Sequence, residues 1–324
     1  MPLKMITAAC DPAPLATSSS DKWTVSALYT YPIKSCQPTS LSSSLVSETG
    51  LLYDRLWMLT DAKSGRFVTQ RQVPQLALIK VVIDTKSGTL GLSAPSMSTT
   101  LCLPLHPQPG VDLGEQYKVR VWYDDVYGRC CGETAQAWLT TFVGKPIRLL
   151  YKDSTETRLV SRYLPDDETC HLPPQSGFAD VFPFHIITDT SLDHANQHVP
   201  LPLTHHHFRP NIVLSATDSD AHPYDEETWK RIEFDAPEDK NWSMFVTSRT
   251  PRCTMPNVDL SAGTMRTDRE PMKSLRKFRC TDPGKPTYVC FGMQATPQHA
   301  GQVIRLGQTV TVRERGFHSL TQPL

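Results

Sequence analysis

The sequence predicts a β-rich α+β fold in two parts, and three observations predict it. Short alternating apolar segments broken by turn residues fill the first 130 positions. A single helical stripe follows at Thr134–Val143. After it, short strands and short helices alternate to the end of the chain. Many short strands with closely spaced turn signals indicate a barrel or a sandwich in the first part.

Residues 23–33 (WTVSALYTYPI) alternate as a strand ending at Pro32. Leu56–Leu59 and Phe67–Thr69 flank Asp61–Gly65, a hairpin signal with Gly near the turn. Leu76–Asp84 and Thr89–Ser93 flank a second turn at Lys86–Gly88, and Lys118–Tyr123 with Asp125–Gly128 form a third short pair. Ala135, Trp138, Leu139 and Phe142 recur at helical spacing, and Gly144 and Pro146 stop the helix. Ile147–Tyr151 is a strand, and the Pro- and Asp-rich stretch Leu164–Gln175 a loop, with the domain boundary between them. This divides the chain into residues 1–22, a disordered leader; 23–150, a β-barrel-like domain; and 151–320, a second β-rich domain with peripheral helices. In that second part Phe184–Thr188, Asn211–Ser215 and Met244–Ser248 are strands. Asp189–Ser191 caps a helix Leu192–His198, and Pro271–Phe278 is a short helix. Val303–Leu306 and Thr309–Val312 make a closing hairpin around Gly307.

Composition limits the function classes. The 324 residues carry 33 basic and 33 acidic side chains, so no net field recruits nucleic acid or an anionic membrane. No run of apolar residues is long enough for a membrane span. Residues 1–22 match neither a secretory signal nor an Arg-rich presequence. The nine cysteines are irregularly spaced with no C-x-x-C pair. Reduced thiols in a cytoplasmic, monomeric protein are therefore expected, with mitochondrial association left open. No Gly-rich phosphate loop, Gly-x-Ser-x-Gly elbow or His-Glu-x-x-His is present.

Several residues have chemical potential. Cys253 follows a predicted strand with Arg249 and Arg252 close by, and a guanidinium favours the thiolate that binds a soft metal. Taken alone, a structural Cys beside surface arginines is the commoner case. Arg209 presents a planar fork suited to phosphate, and Asn211 offers both donor and acceptor groups. Lys34 and Ser35 sit at a strand end as a point charge and a hydroxyl, and Arg55 adds a second cation. Each of these alone reads as ordinary surface polarity. His205–His207 is read as a polar loop rather than a chelate, because adjacent side chains on extended chain diverge. Cys130–Cys131 is read as two thiols, since a vicinal disulfide is strained.

Taken together, YPIKSC (31–36), DRLW (54–57), FVTQRQ (67–72), FRPNIV (208–213) and PRC (251–253) resemble, in this order, the mitochondrial amidoxime-reducing component family. That family joins an N-terminal β-barrel domain to a MOSC domain. The resemblance spans about Trp23 to Arg313. It implies that Cys253 ligates molybdenum and is the catalytic residue. It also implies that Lys34, Ser35, Arg55, Arg209, Asn211 and Arg252 hold a molybdopterin cofactor between the two domains. The implied activity is reduction of small N-hydroxylated compounds (amidoximes, hydroxylamines), the metal cycling between Mo(VI) and Mo(IV). A cytochrome b5-type donor with its NADH reductase is the implied partner. A cofactor-binding or sulfur-carrier protein without reductase turnover is the alternative, with Cys253 as a persulfide carrier. The chain departs from the family pattern at three places. SRTPRC (248–253) stands where Ser-Arg-Cys is common, Gln294 where Tyr is common, and Val181–Phe184 replaces a more polar stretch.

Overall fold

A computed structural model describes residues 21–152, 156–164, 174–236 and 240–320. The expected leader falls almost wholly outside the described residues, as does most of the Leu164–Gln175 loop.

The second half is organised by a closed seven-stranded barrel. Its strands are β1 (Lys22–Thr30), β2 (Phe184–Thr188), β3 (Ile212–Ala216), β4 (Trp229–Phe234), β5 (Trp242–Pro251), β6 (Cys290–Pro297) and β7 (Thr309–Arg315). The order around the barrel is β1-β3-β2-β6-β5-β4-β7, and β7 returns to β1. An odd number of strands cannot close with alternating directions throughout, so one neighbouring pair must run parallel. That pair is β2–β3. A parallel pair needs a crossover rather than a tight turn. The segment between them supplies it, with helices α2 (Asp189–His198) and α3 (His205–Phe208).

The barrel is filled by inward residues of every strand, Trp23 packing edge-on against Trp229 at 5.0 Å and Phe234 stacked on Trp242 at 4.2 Å. Burying one such ring contributes roughly 2–3 kcal/mol. The β1 strand precedes the whole first half in sequence yet pairs with β3 and β7 of the second. The chain thus starts in the barrel, leaves to build the first half, and returns at Phe184.

Besides Ser43–Ser47 and Gly50–Leu51, which form a small sheet with Val303–Arg305, the first half has two antiparallel sheets. One orders Trp57–Asp61, Ile147–Lys152, Asp124–Cys130 and Gln116–Val121; the other orders Lys80–Asp84, Thr89–Ser93 and Leu101–Pro104. Helix α1 (Gly132–Val143) joins their shared core through Ala135, Trp138 and Leu139, and ends at Gly144 with φ 77°. This is the stripe and the stop expected from sequence.

Several local expectations are corrected. The 303–312 region is not a closing hairpin. Val303–Arg305 pairs with Ser43–Ser47, and β7 pairs with β4 and β1. The turn signal at Gly307 is real, but the two arms bury better against different neighbours. Residues 74–78 form a 3-10 turn before the strand at Lys80. The α2 cap is Thr188, whose hydroxyl accepts from Ser191 N, one residue before the predicted cap. Residues 205–207 form the helix α3 rather than a loop, because Thr204 and His207 close a capping box and His205 Nε2 meets Asp189 at 2.8 Å. The α4 helix (Met272–Leu275) is shorter than predicted.

Candidate functional site

The two halves meet along a cleft of about 290 Å³. Two turns from the β1 end build one wall. Leaving β1, the chain runs through Tyr31–Ser35, where Lys34 N donates to Trp57 O at 2.8 Å. The 53–57 turn is stitched to it by Arg55 N to Tyr31 O at 2.9 Å. From the other side, α3 ends at Arg209, and β3 begins just beyond Asn211. Arg209 is therefore a helix C-cap.

Three of the candidate residues hold left-handed backbone without being glycine: Ser35 (φ 74°), Arg55 (φ 48°) and Arg209 (φ 56°). Each costs on the order of 1 kcal/mol, and such strain gathers where geometry serves a site. The strain here turns all three side chains toward one space. Lys34, Ser35, Arg55, Arg209, Asn211, Arg252 and Cys253 all line this one cleft.

Their polar environments differ. Lys34, 6% exposed, gives its ammonium to Phe178 O at 2.7 Å and Asp180 Oδ1 at 2.6 Å. Burial lowers its pKa, and the Asp180 carboxylate works against that. Arg55 bonds Asp54 at 2.5 Å and Asn211 Oδ1 at 2.9 Å. Arg209 donates to Cys36 O at 2.7 Å. The Tyr31 ring lies between the two guanidinium groups, 4.7 Å from Arg55 and 4.2 Å from Arg209. Burial pushes Arg209 down to about 10. Asn211 is fully buried, and its amide is saturated. Oδ1 accepts from Arg55 and from His185 N at 3.2 Å, and Nδ2 donates to Tyr29 O at 3.2 Å and Asp54 Oδ1 at 3.0 Å.

Cys253 lies just past β5, half-buried, with Met255 N donating to its sulfur at 3.5 Å. Arg252 Nη2 donates to Phe208 O at 2.8 Å, while its Nε is buried without a partner among the described residues. Ser35 Oγ and Thr250 Oγ1 are likewise buried and unpartnered. Buried donors are nearly always satisfied, so this cluster of unmet ones marks a place where a ligand supplies the acceptors. The two residues that lengthen the approach to Cys253 are absorbed by register shifts in β5. Arg249 points away from the cleft, its guanidinium buried on Glu227 at 2.8 Å and Asp282 at 3.3 Å. Gln294 does line the cleft and accepts from Phe182 N at 3.1 Å.

Sequence reasoning missed other lining residues. His185 is buried and held neutral, its pKa pushed down to about 3 by burial and by the nearby Arg252 charge. Arg162 and Lys285 add two cations, and Trp122 and Tyr123 line the mouth. The last two had a signal: a two-residue hairpin turn usually carries Gly, Asn or Asp, and here it carries Trp–Tyr. Gln70 of the FVTQRQ segment acts from behind, donating to Ser35 O at 2.7 Å.

Comparisons with known proteins identify the domains. Residues 22–146 match the MOSC N-terminal beta barrel domain and residues 173–311 the MOSC domain. The chain is 29% identical over 297 residues to "Mitochondrial amidoxime reducing component 2" of Rattus norvegicus, covering 89% of this chain and 82% of that one. It is 30% identical over 272 residues to the Homo sapiens "Mitochondrial amidoxime-reducing component 1", covering 81% and 74%. A 28% match over 271 residues to the "Molybdenum cofactor sulfurase" of Oryza sativa subsp. japonica covers 77% of this chain and 30% of that longer protein. The chain therefore belongs to the family in which a MOSC N-terminal beta barrel domain precedes a MOSC domain, and which includes the mitochondrial amidoxime-reducing components.

Proposed function

We propose that the chain holds a molybdenum–molybdopterin cofactor in this cleft, with the Cys253 thiolate as metal ligand, and reduces N-hydroxylated compounds such as amidoximes and hydroxylamines. The observation that carries the proposal is one cleft holding a thiol together with cations and buried donors that lack acceptors. The residues fit the group. Lys34, Arg55, Arg209 and Arg252 supply positive charge for a phosphate, and the planar forks of Arg209 and Arg252 keep donors free for it. Ser35 Oγ and Thr250 Oγ1 supply further donors. A thiolate suits a soft metal centre. Asn211 has no free donor or acceptor, so its role is to hold Arg55 and Asp54 in place rather than to touch the cofactor.

When bound, the cofactor supplies two-electron redox chemistry at oxygen. The protein's own contribution is orientation and charge. Met255 N–H steadies the sulfur, Arg252 sets a positive charge beside it, and neutral His185 adds no further charge below. Conversion of N–OH to N–H consumes two electrons and two protons and releases water. The electrons come from a separate protein, for which a cytochrome b5-type donor with its NADH reductase is the proposed source. The cytoplasmic location read from sequence belongs to the same proposal; the relatives above are mitochondrial by name.

The test is reduction of benzamidoxime with a reconstituted cytochrome b5 chain, alongside metal analysis. Wild type is expected to carry stoichiometric molybdenum and pterin and to turn over. Cys253→Ala is expected to keep its circular dichroism spectrum and lose both metal and activity. Metal-free protein bearing labile sulfane sulfur on Cys253 would instead establish the sulfur-carrier reading. That reading draws support from the sulfurase relative.

A further inference from the structure

We infer that the mouth of the cleft is a subsite for a flat aromatic group bearing a negative charge, so that the favoured substrates are aromatic N-hydroxylated compounds with a carboxylate or similar anionic substituent. The inference rests on the reductase reading above and specifies its substrate class.

Three separate segments build the mouth. The first half sends in the hairpin tip Trp122–Tyr123. The stretch joining the halves contributes Arg162 and Tyr163, and the second half contributes Lys285 and Tyr288. None of the six is assigned above to the cofactor.

Two of the aromatics are held in backbone that bulky residues seldom adopt. Val121 pairs with Asp124, which leaves Trp122 and Tyr123 alone in the turn, and Trp122 has φ 58°. Tyr163 has φ 59°. Positive φ at a Trp and a Tyr is retained only where the surroundings enforce it, and it gathers at ligand sites. The enforcement is visible at Trp122. Its Nε1 donates to Asp180 Oδ1 at 2.9 Å, and the Arg71 guanidinium stacks on its ring at 4.5 Å. Tyr123 and Tyr288 meanwhile show 70% and 49% exposure. With Arg162 over Tyr123 at 4.5 Å and Lys285 over Tyr288 at 5.5 Å, the exposed remainder of these rings offers apolar surface to a flat group.

Hydrogen-bond donors at the mouth are unmet. Arg162 is 8% exposed, yet its Nε and Nη2 have no hydrogen-bond partner among the described residues. The Asp124 carboxylate pairs with its charge at 3.7 Å, longer than a hydrogen bond, and is itself held by Arg158 at 2.6 and 3.1 Å, while the Arg162 guanidinium stacks on the Tyr123 ring at 4.5 Å. Lys285 has no ion pair among the described residues and sits 5.8 Å from the Tyr163 ring and 5.5 Å from the Tyr288 ring. Asp180, the carboxylate that lines the cleft, is engaged by Lys34 and Trp122. A buried guanidinium with idle donors calls for an acceptor, and the fork matches a carboxylate.

The experiment compares 4-carboxybenzamidoxime with benzamidoxime on the full-length protein as isolated. Two readouts are taken: the ratio of kcat/KM values, and direct binding by tryptophan fluorescence. Wild type is expected to favour the carboxylated compound about tenfold, the effect of one charge-assisted contact. Arg162→Gln and Lys285→Gln are each expected to lower that ratio severalfold, chiefly through KM of the carboxylated compound. Tyr123→Ala, at an exposed position, is expected to raise KM for both compounds. Should Arg162→Gln fail to fold, Lys285→Gln decides. Unchanged ratios and unchanged binding in the charge variants overturn the inference. So does loss of pterin from Arg162→Gln, which would give Arg162 to the cofactor instead. If neither compound turns over but binding still shows the charge preference, the reductase reading fails and the subsite stands.

Discussion

Asn211→Ala is the perturbation that tests most directly how the cleft is held together. The Asn211 amide makes four hydrogen bonds, and all four partners are internal. Two of them are charged: Arg55 at 2.9 Å and Asp54 at 3.0 Å, with Asp54 itself only 2% exposed. A hydrogen bond to a charged group contributes roughly 1.5–3 kcal/mol and a neutral one about 0.5–1.5. Taking the low end of each range, with some rebonding of Arg55 to Asp54 alone, the loss comes to about 3–4 kcal/mol. For a protein of this size, with an unfolding entropy of about 0.7 kcal/mol/K, that is a fall in thermal midpoint of about 4–6 °C. Thermal unfolding followed by circular dichroism measures it. Pterin and molybdenum content, measured on the same samples at low temperature, should drop as well, because Arg55 is no longer aimed. A midpoint within about 2 °C of wild type would refute the reasoning, since it would mean the amide hub carries little energy.

Two further outcomes follow from the structure. Glu226 is fully buried, with one carboxylate oxygen bonded to Thr188 and Ser191 and the other unpartnered. Burial, opposed by the Ser191 bond and reinforced by the Glu227 charge, pushes its pKa from 4.5 to about 7. The folded state therefore binds this proton more tightly than the unfolded chain. The associated stability is fully present below pH 4.5 and is lost as pH rises through 7, a change of about 3 kcal/mol. Glu226→Gln mimics the protonated form and should flatten urea-denaturation stability across that window; a slope matching wild type would contradict the assignment. Gly292 on β6 has φ 75°, and a Cβ there would lie 2.6 Å from both Ile186 O and Ile187 Cγ2, with His185 Nε2 nearer still. Gly292→Ala is accordingly expected to lower stability by about 3 kcal/mol and to displace His185 in the cleft, and an unchanged thermal midpoint would count against it.

Some features were legible in the sequence for local reasons. Helical spacing and Gly144 identified α1, and alternation identified β1, because periodicity and stop signals are properties of neighbouring residues. Five short segments in order named the family and singled out Cys253. Other features were not local. The Gly307 turn was read as a hairpin although its arms pair elsewhere, since strand partners are chosen by burial across the whole fold. Arg162 carried no pattern that distinguishes a buried guanidinium with idle donors from a solvated one.

The sequence by itself determined the β-rich class, which follows from spacing and turn signals, and the family, which five ordered segments resemble. Only the tertiary structure decided that β1 closes a barrel with strands from the second half of the chain, that a parallel pair must complete seven strands, and that the Asn211 amide is spent on holding Arg55. The physical reason is the same in each case. Which groups are buried, and which of their hydrogen bonds are met, is set by chain segments distant in sequence, and no local pattern records it.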